Sequence, residues 1–123
     1  MLQILYPQYQ LYLASNGNLR IQKGRLDSAG IRQYFQKIFV SEEVGANKPS
    51  RDFFDACFAA IPDFDPAQAI IVGDSLTSDI QGGIHAGICT CWFNPQGNPG
   101  RADIHPDHEI AALSELPSLL ARL

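Results

Sequence analysis

The sequence has 123 residues, of which 46% are hydrophobic and 18% are charged. This composition is typical of one globular domain and unlike that of disordered, collagen-like or coiled-coil chains. The formal net charge of −4, with nine basic residues scattered among thirteen acidic ones, argues against a surface that binds nucleic acid. No apolar run approaches the roughly 20 residues that span a bilayer, and the first ten residues lack a signal-peptide pattern. We expect a single cytoplasmic domain over residues 1–123, with no nucleic-acid or membrane partner.

Short β-rich segments alternate with helix-like segments along the chain. The predicted strands cover residues 10–16, 37–44, 69–74, 88–94 and 108–113. The predicted helices cover residues 18–29, 50–60, 76–86 and 114–123. The segment 94–107 is rich in Pro, Gly and Asn and is a predicted loop. This alternation predicts an α/β, Rossmann-like fold with a mostly parallel sheet flanked by helices.

The first polar side chains of interest follow the first predicted strand. In doubly wound α/β sheets, ligands bind beyond the carboxyl ends of the strands. Ser15 and Asn16 stand there, before a predicted helix whose N-terminal amides point to the same place. A hydroxyl, an amide and free N–H groups can hold a phosphate. The alternative is that Ser15 or Asn16 only caps the helix.

A single lysine lies in the next loop at the same end of the predicted sheet. Lys48 precedes Pro49, which favours an extended backbone at Lys48. A lysine held in this position could neutralise the charge of a phosphate. The alternative is a solvated surface lysine, the usual state of this residue type.

The strongest pair of candidates is Asp74 and Asp79, at the start of the predicted helix after a buried strand. Mg²⁺ prefers oxygen ligands and commonly takes one or two carboxylates together with water and substrate phosphate. The alternative is that Asp74 caps the helix and Asp79 is a solvated acid in its first turn.

Taken together and in this order, the segments "SNG", "KPSRDFFD" and "VGDSLTSDIQGGIHAG" resemble the second, third and fourth motifs of the haloacid dehalogenase superfamily. The segments "LDSAGIRQYFQKIFVSEEVGANKP" and "GGIHAGICTCWFN" are most similar to its pyrimidine 5'-nucleotidase branch. The resemblance implies that the full-length parent protein hydrolyses a phosphomonoester with Mg²⁺, and the branch implies a pyrimidine nucleoside 5'-monophosphate as the substrate. It implies that Ser15 hydrogen-bonds the transferring phosphoryl group, with Asn16 beside it, and that Lys48 pairs with the phosphoryl oxygens and with the nucleophile. It also implies that Asp74 binds Mg²⁺ and that Asp79 supports the ion directly or through water.

One part of the family pattern has no counterpart in the sequence. The family places a nucleophilic aspartate, followed two residues later by a second one, at the end of an N-terminal strand. The only DxD here is in "IPDFDPAQ", where Asp63 and Asp65 follow a predicted helix and belong to a predicted loop. We expect a partial haloacid dehalogenase core that lacks the N-terminal nucleophile strand and the cap domain, and we expect this chain alone to be inactive.

An alternative to the enzyme hypothesis is an association module. Loss of a central strand leaves an unpaired sheet edge next to the "SNG" strand or next to the strand at 70–73, and such edges invite pairing with another chain. The partner would be a second copy or the missing N-terminal half. The cysteines Cys57, Cys89 and Cys91 are best explained as free thiols in the core.

Overall fold

The computed structural model describes residues 2–123, which form six α-helices and five short strands. The strands are β1 (Tyr12–Ser15), β2 (Lys37–Val40), β3 (Ile70–Gly73), β4 (Cys89–Phe93) and β5 (His108–Ile110). The α-helices are α1 (Leu2–Leu5), α2 (Leu19–Ala29), α3 (Ser41–Val44), α4 (Arg51–Ala59), α5 (Gln81–Ala86) and α6 (Leu116–Ala121). A π-helical turn, Leu76–Ile80, leads directly into α5. The predicted loop 94–107 carries no helix or strand.

All strand pairs within residues 2–123 are parallel, as the alternation of elements predicts. β1 pairs with β2, and β3, β4 and β5 form a second sheet in that order. The α/β class with parallel strands and flanking helices is therefore confirmed. The strands do not form one continuous sheet, however, because no described strand pairs with β1 or β3 on its other side.

Polar side chains cap the first turns of several helices, but some of these caps are not the residues that the sequence suggested. Asn18 caps α2 by accepting a hydrogen bond from the Ile21 N–H, so neither Ser15 nor Asn16 is the cap. Ser50, at the start of the predicted helix 50–60, caps α4 by accepting from the Phe53 N–H. Ser75, not Asp74, caps the π-helical turn by accepting from the Ser78 N–H. The capping alternatives for Ser15, Asn16 and Asp74 are therefore wrong.

The predicted strand 37–44 is confirmed over residues 37–40, which form β2. It is wrong over residues 41–44, which form α3. The Ser41 Oγ accepts a hydrogen bond from the Gly17 N–H at 2.8 Å, and the Glu42 N–H donates to the Gly17 carbonyl at 3.1 Å. These bonds tie the end of β2 to the loop after β1. The turn closes at Gly45, whose φ of 84° favours glycine.

Buried side chains of the helices, strands and loops form three core clusters. The first core cluster contains Leu5, Cys91, Ile110, Leu116 and Leu119. The second core cluster contains Phe39, Phe53, Phe54, Cys57 and Ala86. The third core cluster contains Ile80, Trp92 and Ile104. Cys91 and Trp92 lie in different clusters because neighbouring residues of a strand face opposite sides.

None of the helices formed by residues 2–123 has the length and apolar character needed to cross a bilayer.

Candidate active site

The carboxyl ends of β1 and β3 bring together the side chains that the sequence motifs singled out. The ammonium group of Lys48 connects the two ends. Its Nζ donates to the Ala14 carbonyl oxygen of β1 at 3.0 Å and to Asp79 Oδ1 at 2.5 Å. Only 11% of the Lys48 side chain and 10% of the Asp79 side chain are exposed. The alternative of a solvated surface lysine is therefore wrong.

Asn16 holds the loop that carries Lys48. Its Oδ1 accepts from the Lys48 N–H at 2.7 Å, and its Nδ2 donates to the Lys48 carbonyl oxygen at 3.3 Å. The Asn16 amide therefore hydrogen-bonds to both the N–H and the carbonyl group of Lys48, which lies 32 positions further along the chain. The Lys48–Pro49 peptide bond is cis. Asn16 acts in this structure as a positioning residue for Lys48.

Asp79 points inward because the turn that carries it is wider than an α-helical turn. Within the π-helical segment Leu76–Ile80, the Ile80 N–H donates to the Ser75 carbonyl oxygen, five residues earlier. Such π turns occur frequently at functional sites. The Ser75 N–H lies 3.4 Å from Asp79 Oδ2 and donates to it. Both carboxylate oxygens of Asp79 therefore have protein partners.

Gly73 makes room for Asp79. A Cβ atom at residue 73 would collide with the Asp79 carboxylate, so the close contact between this side chain and the end of β3 requires glycine. Sequence reasoning did not single out Gly73 as a site residue. The signal that could have found it is the glycine directly before Asp74, at the end of a buried apolar run.

Asp74 and Ser15 face the same end of the sheets without being held by other side chains. Asp74 is exposed, and its carbonyl oxygen accepts from Trp92 Nε1 at 3.0 Å. No hydrogen bond or ion pair within residues 2–123 engages the Asp74 carboxylate. The half-buried Ser15 hydroxyl makes one long hydrogen bond, 3.4 Å, to the Asn16 carbonyl oxygen. Asp74 and Ser15 thus have polar groups available to a ligand.

The donor set fits a divalent cation only in part. Residues 2–123 contain no cluster of three or more His, Cys, Asp or Glu side chains arranged to hold a metal ion. Mg²⁺ retains several waters and needs as few as one or two protein carboxylates. The Asp74 carboxylate can serve as such a ligand, and Asp79 can act beside it, but Asp79 is already paired with Lys48. Further oxygen ligands would come from substrate, from water or from protein groups outside residues 2–123.

The DxD pair lies at the wrong end of β3 for this site. Asp65 caps the short 3₁₀ turn Pro66–Gln68, which precedes the amino end of β3, and accepts from the Ala67 N–H at 3.0 Å. Asp63 adopts a positive φ of 54° in the loop. The carboxyl ends of the strands, where Asp74 follows β3, lie at the opposite edge of the sheet. The prediction that this DxD is a loop feature is confirmed.

Comparisons with known proteins identify the family. The family described as "Haloacid dehalogenase-like hydrolase" matches residues 1–93. The chain is 43% identical over 116 residues to YfnB of Bacillus subtilis, which is named as a HAD-hydrolase, and this match covers 94% of the chain and 49% of that protein. It is 39% identical over 113 residues to the pyrimidine 5'-nucleotidase PynA of Streptococcus pneumoniae, covering 92% of the chain and 48% of that protein.

A solved structure agrees with these sequence matches. The crystal structure of YfnB from Bacillus subtilis, described as bound to magnesium, superposes with a TM-score of 0.95 at 42% identity. The superposition covers 97% of this chain and 52% of that one. The chain thus spans about half the length of the relatives it matches. On the family match, the identities and the shared fold, the chain belongs to the haloacid dehalogenase-like hydrolase family.

Proposed function

We propose that this chain supplies the phosphate-binding and metal-binding half of a Mg²⁺-dependent phosphomonoester hydrolase. The observation that carries the proposal is the Lys48 ammonium group, held between the Ala14 carbonyl oxygen and Asp79 at the carboxyl ends of β1 and β3. Phosphoryl transfer depends mainly on positioning and on neutralising charge. A nearly buried cation at the strand ends that also carry the Ser15 hydroxyl and the unpaired Asp74 carboxylate supports that chemistry.

Each residue has a distinct proposed role. The Ser15 hydroxyl donates to a phosphoryl oxygen, and the Lys48 ammonium group neutralises charge on the same phosphoryl group. Asn16 keeps the Lys48 loop in place through its two backbone hydrogen bonds. Asp74 would hold Mg²⁺, while Asp79 fixes the Lys48 ammonium group and lies beside the ion. When bound, Mg²⁺ supplies charge neutralisation at the phosphate.

The proposed substrate is a pyrimidine nucleoside 5'-monophosphate. The support comes from the relatives, because the Streptococcus pneumoniae protein and the Escherichia coli protein YjjG, 34% identical to this chain, are both named pyrimidine 5'-nucleotidases. Some other relatives are named for other phosphatase activities, for example the N-acylneuraminate-9-phosphatase of Rattus norvegicus. The nucleotidase and phosphatase names share hydrolysis of a phosphate ester.

We further propose that this chain alone does not turn over phosphate esters. Covalent phosphoryl transfer needs a nucleophile at the carboxyl ends of the strands. Within residues 2–123, the carboxylates that the motifs bring to this place are Asp74 and Asp79, and Asp79 is paired with Lys48. Neither of them lies at the end of a strand between β1 and β3, where a nucleophile would face Lys48.

The experiment starts from the protein as its native source makes it. An antibody against this chain captures the product, its intact mass is measured, and it is assayed with uridine and thymidine 5'-monophosphates with and without Mg²⁺. We expect a mass well above 13.5 kDa and Mg²⁺-dependent release of phosphate. In the expressed native gene product, Asp74→Asn should abolish this activity, whereas the matched control Asp63→Asn should retain it. A product well above 13.5 kDa that releases no phosphate, or equal loss of activity in both variants, would contradict the proposal.

A further inference from the structure

Gln22 is a polar residue in the first turn of α2, the helix that follows Ser15 and β1. Its N–H donates to the carbonyl oxygen of Asn18, the residue that caps this helix, at 3.1 Å. Side chains of a helix lean towards its N-terminus, so a side chain at this position extends back over the loop that precedes the helix. The Gln22 side chain therefore reaches Gly17, in the loop at the carboxyl end of β1.

The side chains of Gln22 and Ser15 border the same small space beside Gly17. A Cβ atom on Gly17 would lie 3.6 Å from Gln22 Nε2 and 3.9 Å from Ser15 Oγ. Among residues 2–123, apart from Gly17 and its two chain neighbours, no other heavy atom lies within 4 Å of that position. Because glycine has no side chain, the space between the two polar groups is open. A ligand oxygen placed there needs only small rotations of the two side chains to accept a hydrogen bond from each.

The loop at Gly17 does not need the Gln22 amide for its own hydrogen bonds. The Gly17 N–H donates to Ser41 Oγ at 2.8 Å, and the Gly17 carbonyl oxygen accepts from the Glu42 N–H at 3.1 Å. Both backbone polar groups of Gly17 are therefore paired with α3 and not with α2. A purely structural role for the Gln22 amide, as the partner of this loop, is accordingly excluded.

The Gln22 amide is available to a ligand. Gln22 is half-buried, and no hydrogen bond formed within residues 2–123 involves its side chain. In the same part of the chain, every fully buried side-chain nitrogen or oxygen has a partner, so the Gln22 amide is in contact with solvent. A half-buried amide that is bonded only to water can exchange that water for a ligand oxygen at little cost.

The charges around this space favour an anion. Lys48 Nζ contacts the carbonyl oxygen of Ala14, the residue directly before Ser15. The N-terminus of α2, with its partial positive charge, lies on the other side of the Ser15 loop. The acid that contacts this loop is Glu42, and its carboxylate already accepts a hydrogen bond from Asn18 Nδ2 at 3.0 Å. An anionic ligand oxygen therefore suits the space better than a neutral one.

We propose that Gln22 is a further substrate-binding residue, whose Nε2 donates a hydrogen bond to an oxygen of the phosphoryl group that Ser15 also binds. The inference rests on the proposed function, because it adds a second side-chain donor to the same phosphate site. A hydrogen bond from a neutral amide to a phosphate oxygen is charge-assisted and short. The amide also has a fixed donor direction, so together with the Ser15 hydroxyl it orients the phosphoryl group while Lys48 supplies the positive charge.

A direct contact between Gln22 and the phosphate differs from a role in which Gln22 only orients the Ser15 hydroxyl. In the structure, the Ser15 hydroxyl donates to the Asn16 carbonyl oxygen and makes no hydrogen bond to Gln22. In a direct contact each side chain donates its own hydrogen bond, so removal of Ser15 Oγ leaves the contribution of Gln22 in place. Variants of the two residues, made singly and together, therefore separate the two roles.

The test measures the binding of inorganic phosphate to this 123-residue chain by NMR, which requires no catalytic activity. The chain, labelled with ¹⁵N, is titrated with phosphate at constant ionic strength. We expect the side-chain NH₂ signals of Gln22 and the backbone amide signal of Ser15 to shift with one common dissociation constant. The matched control is Gln33, an exposed residue in the turn Arg32–Tyr34 before the amino end of β2, whose NH₂ signals should not shift.

Variants of the two glutamines make the outcome specific. Gln22→Met keeps the length of the side chain without its donor, and should raise the dissociation constant for phosphate about tenfold. Gln22→Glu keeps the shape but adds a negative charge, and should weaken binding at least as much. Gln33→Met should bind phosphate like the unmodified chain. In a chain that also carries Ser15→Ala, Gln22→Met should still weaken binding about threefold or more.

The possible outcomes separate this inference from the proposed function. If Ser15→Ala weakens phosphate binding but Gln22→Met does not, the inference is overturned and the proposed phosphate site stands. The inference is also overturned if Gln22→Met has no effect in the Ser15→Ala background, since the amide would then act through the Ser15 hydroxyl. A chain that binds no phosphate would contradict the proposed phosphate site, and the inference with it.

Discussion

The Lys48–Asp79 pair should be a strong and nearly buried interaction that a double-mutant cycle can measure. Lys48→Met leaves the Asp79 carboxylate, only 10% exposed, with the Ser75 N–H as its remaining partner. Asp79→Asn leaves the ammonium group without its charge partner while preserving the shape of the side chain. Removing one member of a buried ion pair costs about 3–5 kcal/mol. Because the pair is not fully buried, we expect each single variant to lose about 3 kcal/mol and the coupling free energy to be about 2 kcal/mol.

The assay is urea denaturation followed through the fluorescence of Trp92, the only tryptophan. The matched control is a second cycle on Arg51 and Asp55, an ion pair of similar length, 2.8 Å, whose side chains are 59% and 55% exposed. Exposed i,i+4 pairs contribute about 0.3–0.5 kcal/mol. The reasoning is refuted if the Lys48–Asp79 coupling is no larger than that of the control pair, because the ammonium group would then be solvated.

Three further predictions follow from local features. Gly73→Ala should displace the Asp79 carboxylate and destabilise the fold by about 2 kcal/mol in the same urea assay, and an unchanged midpoint would disprove that contact. Asn18→Ala should cost about 1 kcal/mol through loss of the α2 cap, and no loss of stability would argue against the cap. Burial raises the pKa of the Cys57 and Cys91 thiols from 9.0 to about 11. The folded state therefore favours the protonated thiols, and the free energy of unfolding that they contribute is fully present below pH 9 and is lost between pH 9 and about 11. Urea midpoints measured across this range should fall with rising pH, and Cys57→Ala should flatten the decline; a midpoint that stays level would refute it.

Much of the fold could be predicted because its signals are local. The predicted strands 10–16, 69–74 and 88–94 became β1, β3 and β4, and the predicted helices 18–29 and 50–60 became α2 and α4. The unpaired sheet edge was also predicted, next to the "SNG" strand or next to the strand at 70–73, and no described strand pairs with β1 or β3 on its other side. The turn to α3 was missed because it depends on hydrogen bonds between Ser41 and Gly17, 24 residues apart in sequence.

The site was predictable in its residue types but not in its connections. The motifs selected Ser15, Asn16, Lys48, Asp74 and Asp79, and the structure places them around the carboxyl ends of β1 and β3. The spacing of motifs could not show that the Asn16 side chain hydrogen-bonds to the backbone of Lys48, since the two residues are 32 positions apart in sequence and meet only in the folded chain. Nor could it show that a π-helical turn directs the Asp79 carboxylate inward, because an α-helical turn fits the same residues equally well.

The most direct measurement of the central claim is the phosphatase activity of this 123-residue chain by itself. The purified chain and its Asp74→Asn variant are assayed with p-nitrophenyl phosphate and with uridine 5'-monophosphate in the presence of Mg²⁺. Our account predicts equal, background release of phosphate from both proteins, since no strand of residues 2–123 places a nucleophile between β1 and β3 beside the residues proposed to bind phosphate and Mg²⁺. Mg²⁺-dependent turnover by the chain that disappears in Asp74→Asn would contradict it.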